Sequence, residues 1–379
     1  MNTLPKYRFL DLAEVNAPYA AKLREAACRV IDSGRYIGGH EIEQFERKLS
    51  AICRAPHCIG VSNGLDALRL SLMALIISGR LSEGDEVLVP ANTFIASFLA
   101  ISHCRLRPVP VEPEPNTMVI SGRSIADAVT SRTKAIMTVH LYGRIAWDDE
   151  MAEIVRRHNL LVIEDAAQAI GAVSPTPGLF LSNRAAAIGH IGAISFYPTK
   201  NVGALGDAGA VVTHDTHLAE IVRQLANYGS AERNEYIHKG FNCRLDPIQA
   251  AMLSVKLDYL RSENAERFAR ATAYNNTISS PHVITPPISS SPTDCVWHQY
   301  VIRTPLRNQL RSFLLENGVE TDIHYPIPPH RQPAFSELSS YHLPVTERLA
   351  DQILSLPISP GCISVKDASD IARIINQFK

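Results

Sequence analysis

The chain has 379 residues, 46% hydrophobic and 20% charged, and its 37 basic and 38 acidic side chains leave a formal net charge of -1. That length suits two domains, or one large one, with a core that needs no disulfide or metal staple. The even charge balance argues against general attraction to nucleic acid or membrane phosphate. No run of about 18 apolar residues occurs, and the opening MNTLPKYRFLDL has no apolar signal core, so a cytoplasmic location is expected. Cys28, Cys53, Cys58, Cys104, Cys243, Cys295 and Cys362 are scattered without zinc spacing and read as reduced thiols.

Short apolar runs bounded by Gly, Pro or Asp predict strands at 58–61, 86–89, 107–111, 135–140, 161–164, 193–196 and 210–213. Between them, Leu65, Leu68, Leu72 and Leu75 make one helical stripe, and 125–129 and 148–157 also read as helical. Strand–helix alternation implies an α/β architecture with a mostly parallel sheet. The pattern changes near residue 245. One long helix is expected over 247–263, with Ile248, Ala251, Met252, Val255 and Tyr259 on its apolar face. A Ser- and Pro-rich loop follows over 279–292. A strand near Val301 and helices over 307–317 and 368–378 complete a smaller α+β portion. The expected division is a large domain over 1–250 and a small one over 251–379.

Three strand ends carry the chemistry, because ligands of parallel α/β sheets bind at the carboxyl ends of the strands. In Val61-Ser62-Asn63-Gly64-Leu65-Asp66 a strand turns at Gly64 into the leucine-striped helix. Free N–H groups and the helix dipole make such a turn an anion site, while Asp66 reads equally as a helix-dipole partner. In Val162-Ile163-Glu164-Asp165-Ala166-Ala167-Gln168 an apolar run ends in two carboxylates. Alternation sends them to opposite sides. One should face the crevice, where it suits a protonated ring nitrogen, or else it caps the next helix. In Ser195-Phe196-Tyr197-Pro198-Thr199-Lys200-Asn201 a lysine follows apolar Ile194 and Phe196 and precedes a turn with Gly203, Gly206 and Gly209. A lysine desolvated in a crevice becomes nucleophilic. The glycine spacing is not a dinucleotide fingerprint.

With Tyr36-Ile37-Gly38-Gly39, the stretch from Val89 to Phe94, Val139-His140-Leu141-Tyr142-Gly143, Gly240-Phe241-Asn242-Cys243-Arg244 and His324-Tyr325-Pro326-Ile327-Pro328, these segments resemble the DegT-like nucleotide-sugar aminotransferases across essentially the whole chain. They are a branch of the fold-type I enzymes that use pyridoxal 5'-phosphate (PLP). The resemblance implies that fold and that cofactor. It implies Lys200 as the Schiff-base lysine, Asp165 on the pyridine nitrogen, Gln168 on the 3-hydroxyl and Phe94 stacked on the ring. Gly64, Leu65 and Ser195 match the phosphate cradle. Asn242 matches a residue lent by the neighbouring subunit, which implies a homodimer with shared sites, and His324 and Tyr325 match a segment lining the sugar site. Thr199, Arg144 and Ala208 depart from the common Gly, Gln and Gly, and Arg144 is a candidate for altered substrate contacts. Within the family the segments look closest to enzymes that aminate dTDP-linked 3-oxo-6-deoxyhexoses with glutamate as donor, a 4-keto sugar being the alternative.

Other readings are a PLP-binding regulatory protein and a nicotinamide-dependent oxidoreductase. The second lacks a G-x-G-x-x-G turn and leaves Lys200 unexplained. His103, His190 and His298 lack metal-ligand spacing and read as packed or surface residues.

Overall fold

A computed structural model describes residues 5–288 and 291–379; the first four residues, and residues 289 and 290 within the Ser- and Pro-rich loop, lie outside the described residues. The chain enters through helices α1 (Leu12–Asn16), α2 (Ala20–Ser33) and α3 (His40–Cys53). One sheet is then built from β1 (His57–Val61), β2 (Glu86–Pro90), β3 (Arg107–Val111), β4 (Thr133–Val139), β5 (Leu161–Asp165), β6 (Ile191–Ser195) and β7 (Gly209–Thr213). Helices α4 (Gly64–Ile77), α5 (Ile95–His103), α6 (Gly122–Ala126) and α7 (Asp149–His158) lie between its strands. Next come α8 (Thr216–Ala226), a small hairpin of β8 (Ser230–Glu232) and β9 (Glu235–Tyr236), α9 (Pro247–Leu257) and α10 (Leu260–Thr277). The chain ends with β10 (Tyr300–Arg303), α11 (Arg307–Glu316), α12 (Pro344–Gln352), β11 (Ile353–Leu356) and α13 (Val365–Ile375).

The sheet order is β1-β7-β6-β5-β4-β2-β3. Every pair from β6 to β3 is parallel, and β7 runs antiparallel to both its neighbours. The carboxyl ends of β1, β6, β5, β4 and β2 therefore share one edge. Strands β2 and β7 are buried at every residue, which is why they read as continuous apolar runs. Helices cover both faces. Leu70, Leu72, Phe98 and Ile221 fill one side, and Phe45, Leu49, Ile154 and Leu253 the other. Each fully buried side chain of this kind contributes roughly 1.5–3 kcal/mol. A further core gathers Tyr274, Tyr300, Leu310, Leu354 and Ile371 around the antiparallel pair β10–β11. Tyr7, from the far end of the chain, joins it, its N–H donating to the Gly318 carbonyl at 2.9 Å.

Some expected boundaries move. The single helix over 247–263 is two helices, broken at Asp258 and Tyr259. Its halves serve different partners: α9 packs on α2 and α3, and α10 on α13. At the break the Tyr259 ring lies 4.7 Å from that of Tyr19, and its hydroxyl accepts from Lys22 Nζ at 2.6 Å. Helix α6 starts earlier than the expected 125–129, and α13 earlier than 368–378. In both, a serine N-cap, Ser121 or Ser364, closes a capping box with the residue three positions on, and this local bond fixes the start. Among the described residues no helix is long and apolar enough to cross a membrane.

Candidate active site

Strand register assembles the site. Gly209, the first residue of β7, pairs with Val61 on one side and Ser195 on the other. The turn into α4 and the turn carrying Lys200 are thus brought side by side. Two glycines permit the contact. A Cβ at Gly64 would lie 2.6 Å from Ser195 Cβ, and one at Gly209 would lie 2.4 Å from the Asn63 carbonyl carbon. Gly64 and Leu65 open α4, so their N–H groups have no acceptor within the helix. Asn63 caps it, its side chain accepting from the Asp66 N–H at 2.8 Å. Asp66 is engaged locally, with Ser62 Oγ at 2.5 Å and Arg69 Nη2 at 2.7 Å.

A cavity of about 520 Å³ opens at this edge, and Lys200, Asp165, Gly64, Leu65, Phe94, Gln168, Ser195 and Tyr325 all line it. Burial pushes the Lys200 ammonium down to about 8, with the nearby Asp165 carboxylate opposing the shift. The turn beneath Lys200 is pinned by its own N–H to the Tyr197 carbonyl at 2.8 Å, and Gly203 packs where a Cβ would meet the Pro198 oxygen at 2.1 Å.

The two carboxylates at the end of β5 part ways. Glu164 is fully buried away from the cavity, accepting from the Ala186, Ile188 and Gly189 N–H groups and from His140 Nε2, all within 2.9 Å. His140 Nδ1 accepts from the Ala146 N–H at 3.0 Å, so the ring proton sits on Nε2 and is donated to Glu164. Asp165 faces the cavity. Its Oδ2 accepts from Ser97 Oγ at 2.8 Å and its Oδ1 from the Ala167 N–H at 3.2 Å. Gln168 Oε1 accepts from the Tyr142 N–H at 2.6 Å and Nε2 donates to the Tyr325 hydroxyl at 3.2 Å, which leaves one Nε2 proton to donate. The Phe94 and Tyr325 rings stand 5.1 Å apart on one wall.

Two of the candidates lie outside the cavity. Asn242 is exposed, on a segment bridged to Asn227, with neighbouring Phe241 and Cys243 packed against Arg69. The His324 ring turns the other way, its Nδ1 2.9 Å from Ser355 Oγ. Arg144 is not on the cavity wall either; its guanidinium lies 5.7 Å from the centre of the Trp297 ring. Several neighbours have no clear sequence signal. Ser97 touches Asp165 from α5, and its four-residue spacing from Thr93 was the only trace. His298, fully enclosed, meets Asn201 Oδ1 through Nδ1 at 3.1 Å, and burial together with Lys200 holds it well below the usual histidine range.

The donor set suits a phosphorylated pyridine aldehyde. It offers a helix N-terminus with an adjacent hydroxyl for an anion, a carboxylate for a ring N–H, an aromatic wall and a desolvated amine. The chain matches the DegT/DnrJ/EryC1/StrS aminotransferase family over residues 19–378. It is 44% identical to the dTDP-3-amino-3,6-dideoxy-alpha-D-galactopyranose transaminase of Aneurinibacillus thermoaerophilus, across 98% of this chain and 99% of that one. Identity to the dTDP-3-amino-3,4,6-trideoxy-alpha-D-glucose transaminase of Streptomyces venezuelae is 43%, across 94% and 92%. Among solved structures, S. venezuelae DesV in complex with a ketimine intermediate superposes with a TM-score of 0.92 at 41% identity, covering 98% of each chain.

Proposed function

The chain belongs to the DegT/DnrJ/EryC1/StrS aminotransferase family, and from that membership we propose that it moves the amino group of glutamate to the 3-keto carbon of a dTDP-linked 6-deoxyhexose. It is a PLP-dependent sugar aminotransferase. The observation that carries the cofactor-site reading is the meeting of Lys200, Asp165 and the Gly64–Leu65 amides on one cavity, while the choice of a dTDP-linked 3-keto sugar is supported by the names of the relatives.

In this reading Gly64, Leu65 and Ser195 hold the cofactor phosphate, Asp165 faces the ring nitrogen, Gln168 donates to the 3-hydroxyl and Phe94 covers the ring. Bound PLP supplies an electron sink for the α-carbon of the amino donor. Lys200 Nζ, neutral in a substantial fraction near pH 8, is both the attachment point and the base that carries the proton from the donor α-carbon. The Asp165 carboxylate keeps the ring nitrogen protonated. Residues 1–250 supply these groups, and residues 251–379 add Tyr325 to the cavity wall, His324 being assigned to the sugar site by resemblance alone. Asn242 is read as serving the partner's phosphate in a cytoplasmic homodimer, in keeping with its exposure on this chain.

The test incubates the protein with PLP, glutamate and dTDP-linked 3-keto or 4-keto 6-deoxyhexose, with products read by mass and NMR. A 3-amino sugar formed only from the 3-keto substrate is expected. Amination of the 4-keto sugar alone overturns the positional assignment, and no transfer to either sugar favours a regulatory protein.

A further inference from the structure

Thr93, Ser97 and Asp165 form a line of buried side chains at the cavity wall. Thr93 Oγ1 lies 2.9 Å from Ser97 Oγ, and Ser97 Oγ lies 2.8 Å from Asp165 Oδ2. Solvent reaches none of the three beyond 6%. The Ser97 hydroxyl donates to the Asp165 carboxylate, so its single proton is used there, and Thr93 in turn gives its proton to Ser97. A buried serine in a helix commonly satisfies itself by bonding back to the preceding turn, as Ser71 does to the Ala67 carbonyl at 2.7 Å. Ser97, in the first turn of α5, has no preceding helical turn to bond back to and reaches instead to the end of β5. With the Ala167 N–H on Oδ1, the carboxylate is held at both oxygens, and its plane cannot turn without breaking one of these bonds.

We propose that the Thr93–Ser97 hydroxyl pair is a positioning relay that holds the Asp165 carboxylate aimed at the cofactor's ring nitrogen. The proposal rests on the role given to Asp165 above. Neither hydroxyl is assigned contact with the reacting atoms; both act through the carboxylate. Hydrogen bonds to a charged acceptor inside a low-dielectric wall are the strong ones, and two in series polarise each other.

The test uses the full-length chain freed of cofactor and titrated with pyridoxamine phosphate, which makes no covalent bond to Lys200. Binding is followed by tryptophan fluorescence and folding by thermal melting. Ser97→Ala is expected to weaken pyridoxamine phosphate binding about ten-fold. Thr93→Val, which keeps shape and loses the hydroxyl, should weaken it about three-fold, and Thr93→Ser should restore it. In an Asp165→Asn background, Ser97→Ala should cost nothing further, because its effect passes through the carboxylate. Three results overturn the relay. Ser97→Ala binds like the parent while Asp165→Asn binds weakly, or the two losses add in full, or Thr93→Ser fails to restore what Thr93→Val removes. If Asp165→Asn itself binds like the parent, the role of Asp165 fails, and the relay with it. Should Ser97→Ala not fold, the Thr93 pair decides alone.

Discussion

In the cofactor-free protein, Lys200 should react as a free amine at far lower pH than an ordinary lysine. Burial brings it from 10.5 to about 8. At pH 7.5 that leaves about a quarter of the side chains neutral, against about 0.1% for an unperturbed lysine, a gain of roughly 200-fold. The assay is limited acylation with an uncharged reagent across pH 6 to 11, followed by digestion and peptide mass spectrometry, with exposed Lys239 and Lys366 as references in the same sample. The rate at Lys200 should rise and level off with a midpoint near pH 8. Asp165 opposes the shift, so Asp165→Asn should move that midpoint lower still. A rate that keeps climbing from pH 9 to 11 refutes the claim that desolvation activates this amine.

The same depression has a stability consequence: between about pH 8 and 10.5 the unfolded chain holds more protons at this site than the folded one, so stability rises with pH across that window. Cofactor-free Lys200→Met should therefore melt above the parent at pH 7, with the gain shrinking towards pH 10.5. Gly64→Ala places a methyl group 2.6 Å from Ser195 Cβ. It should cost about 1–3 kcal/mol in denaturant unfolding and weaken pyridoxamine phosphate binding; unchanged binding would remove the α4 turn from the site. Glu164→Gln sets an amide N–H against N–H donors that the carboxylate accepts at 2.8–2.9 Å. A loss of about 3 kcal/mol is expected in the same unfolding measurement.

The alternating architecture was legible because fully buried strands leave continuous apolar runs, and the leucine stripe of α4 announced its helix. Strand alternation also showed that Glu164 and Asp165 must diverge. It was silent on which one faces the cavity, because that depends on the pairing of β5 with β4 and β6. The break at Tyr259 was invisible, since the apolar face continues through it and only the change of packing partner from α2 and α3 to α13 reveals it. Ser97 fell between the expected strands 86–89 and 107–111 with nothing to single it out. Its meaning comes from a neighbour on another strand, brought close by sheet order. His324 and Asn242 fall beside motifs that resemble known site segments, yet resemblance carries no side-chain direction. In this chain one ring turns towards Ser355 and the other side chain turns to solvent.

The placement of β7 between β1 and β6 sets a schedule for the nascent polypeptide. The turn after Val61 and the lysine turn after Ser195 are both synthesised before the strand that lies between them. Until Gly209–Thr213 emerges and inserts, β1 has no strand to pair with and only the packing of α4 on β6 links the two turns, and closing the long loop from β1 to β7 comes late on the pathway. On the site reading proposed above, cofactor capture is expected to follow completion of the sheet. A ribosome-stalled chain that stops short of β7 is expected to carry both turns on an unfinished sheet and to bind pyridoxamine phosphate more weakly than the whole chain.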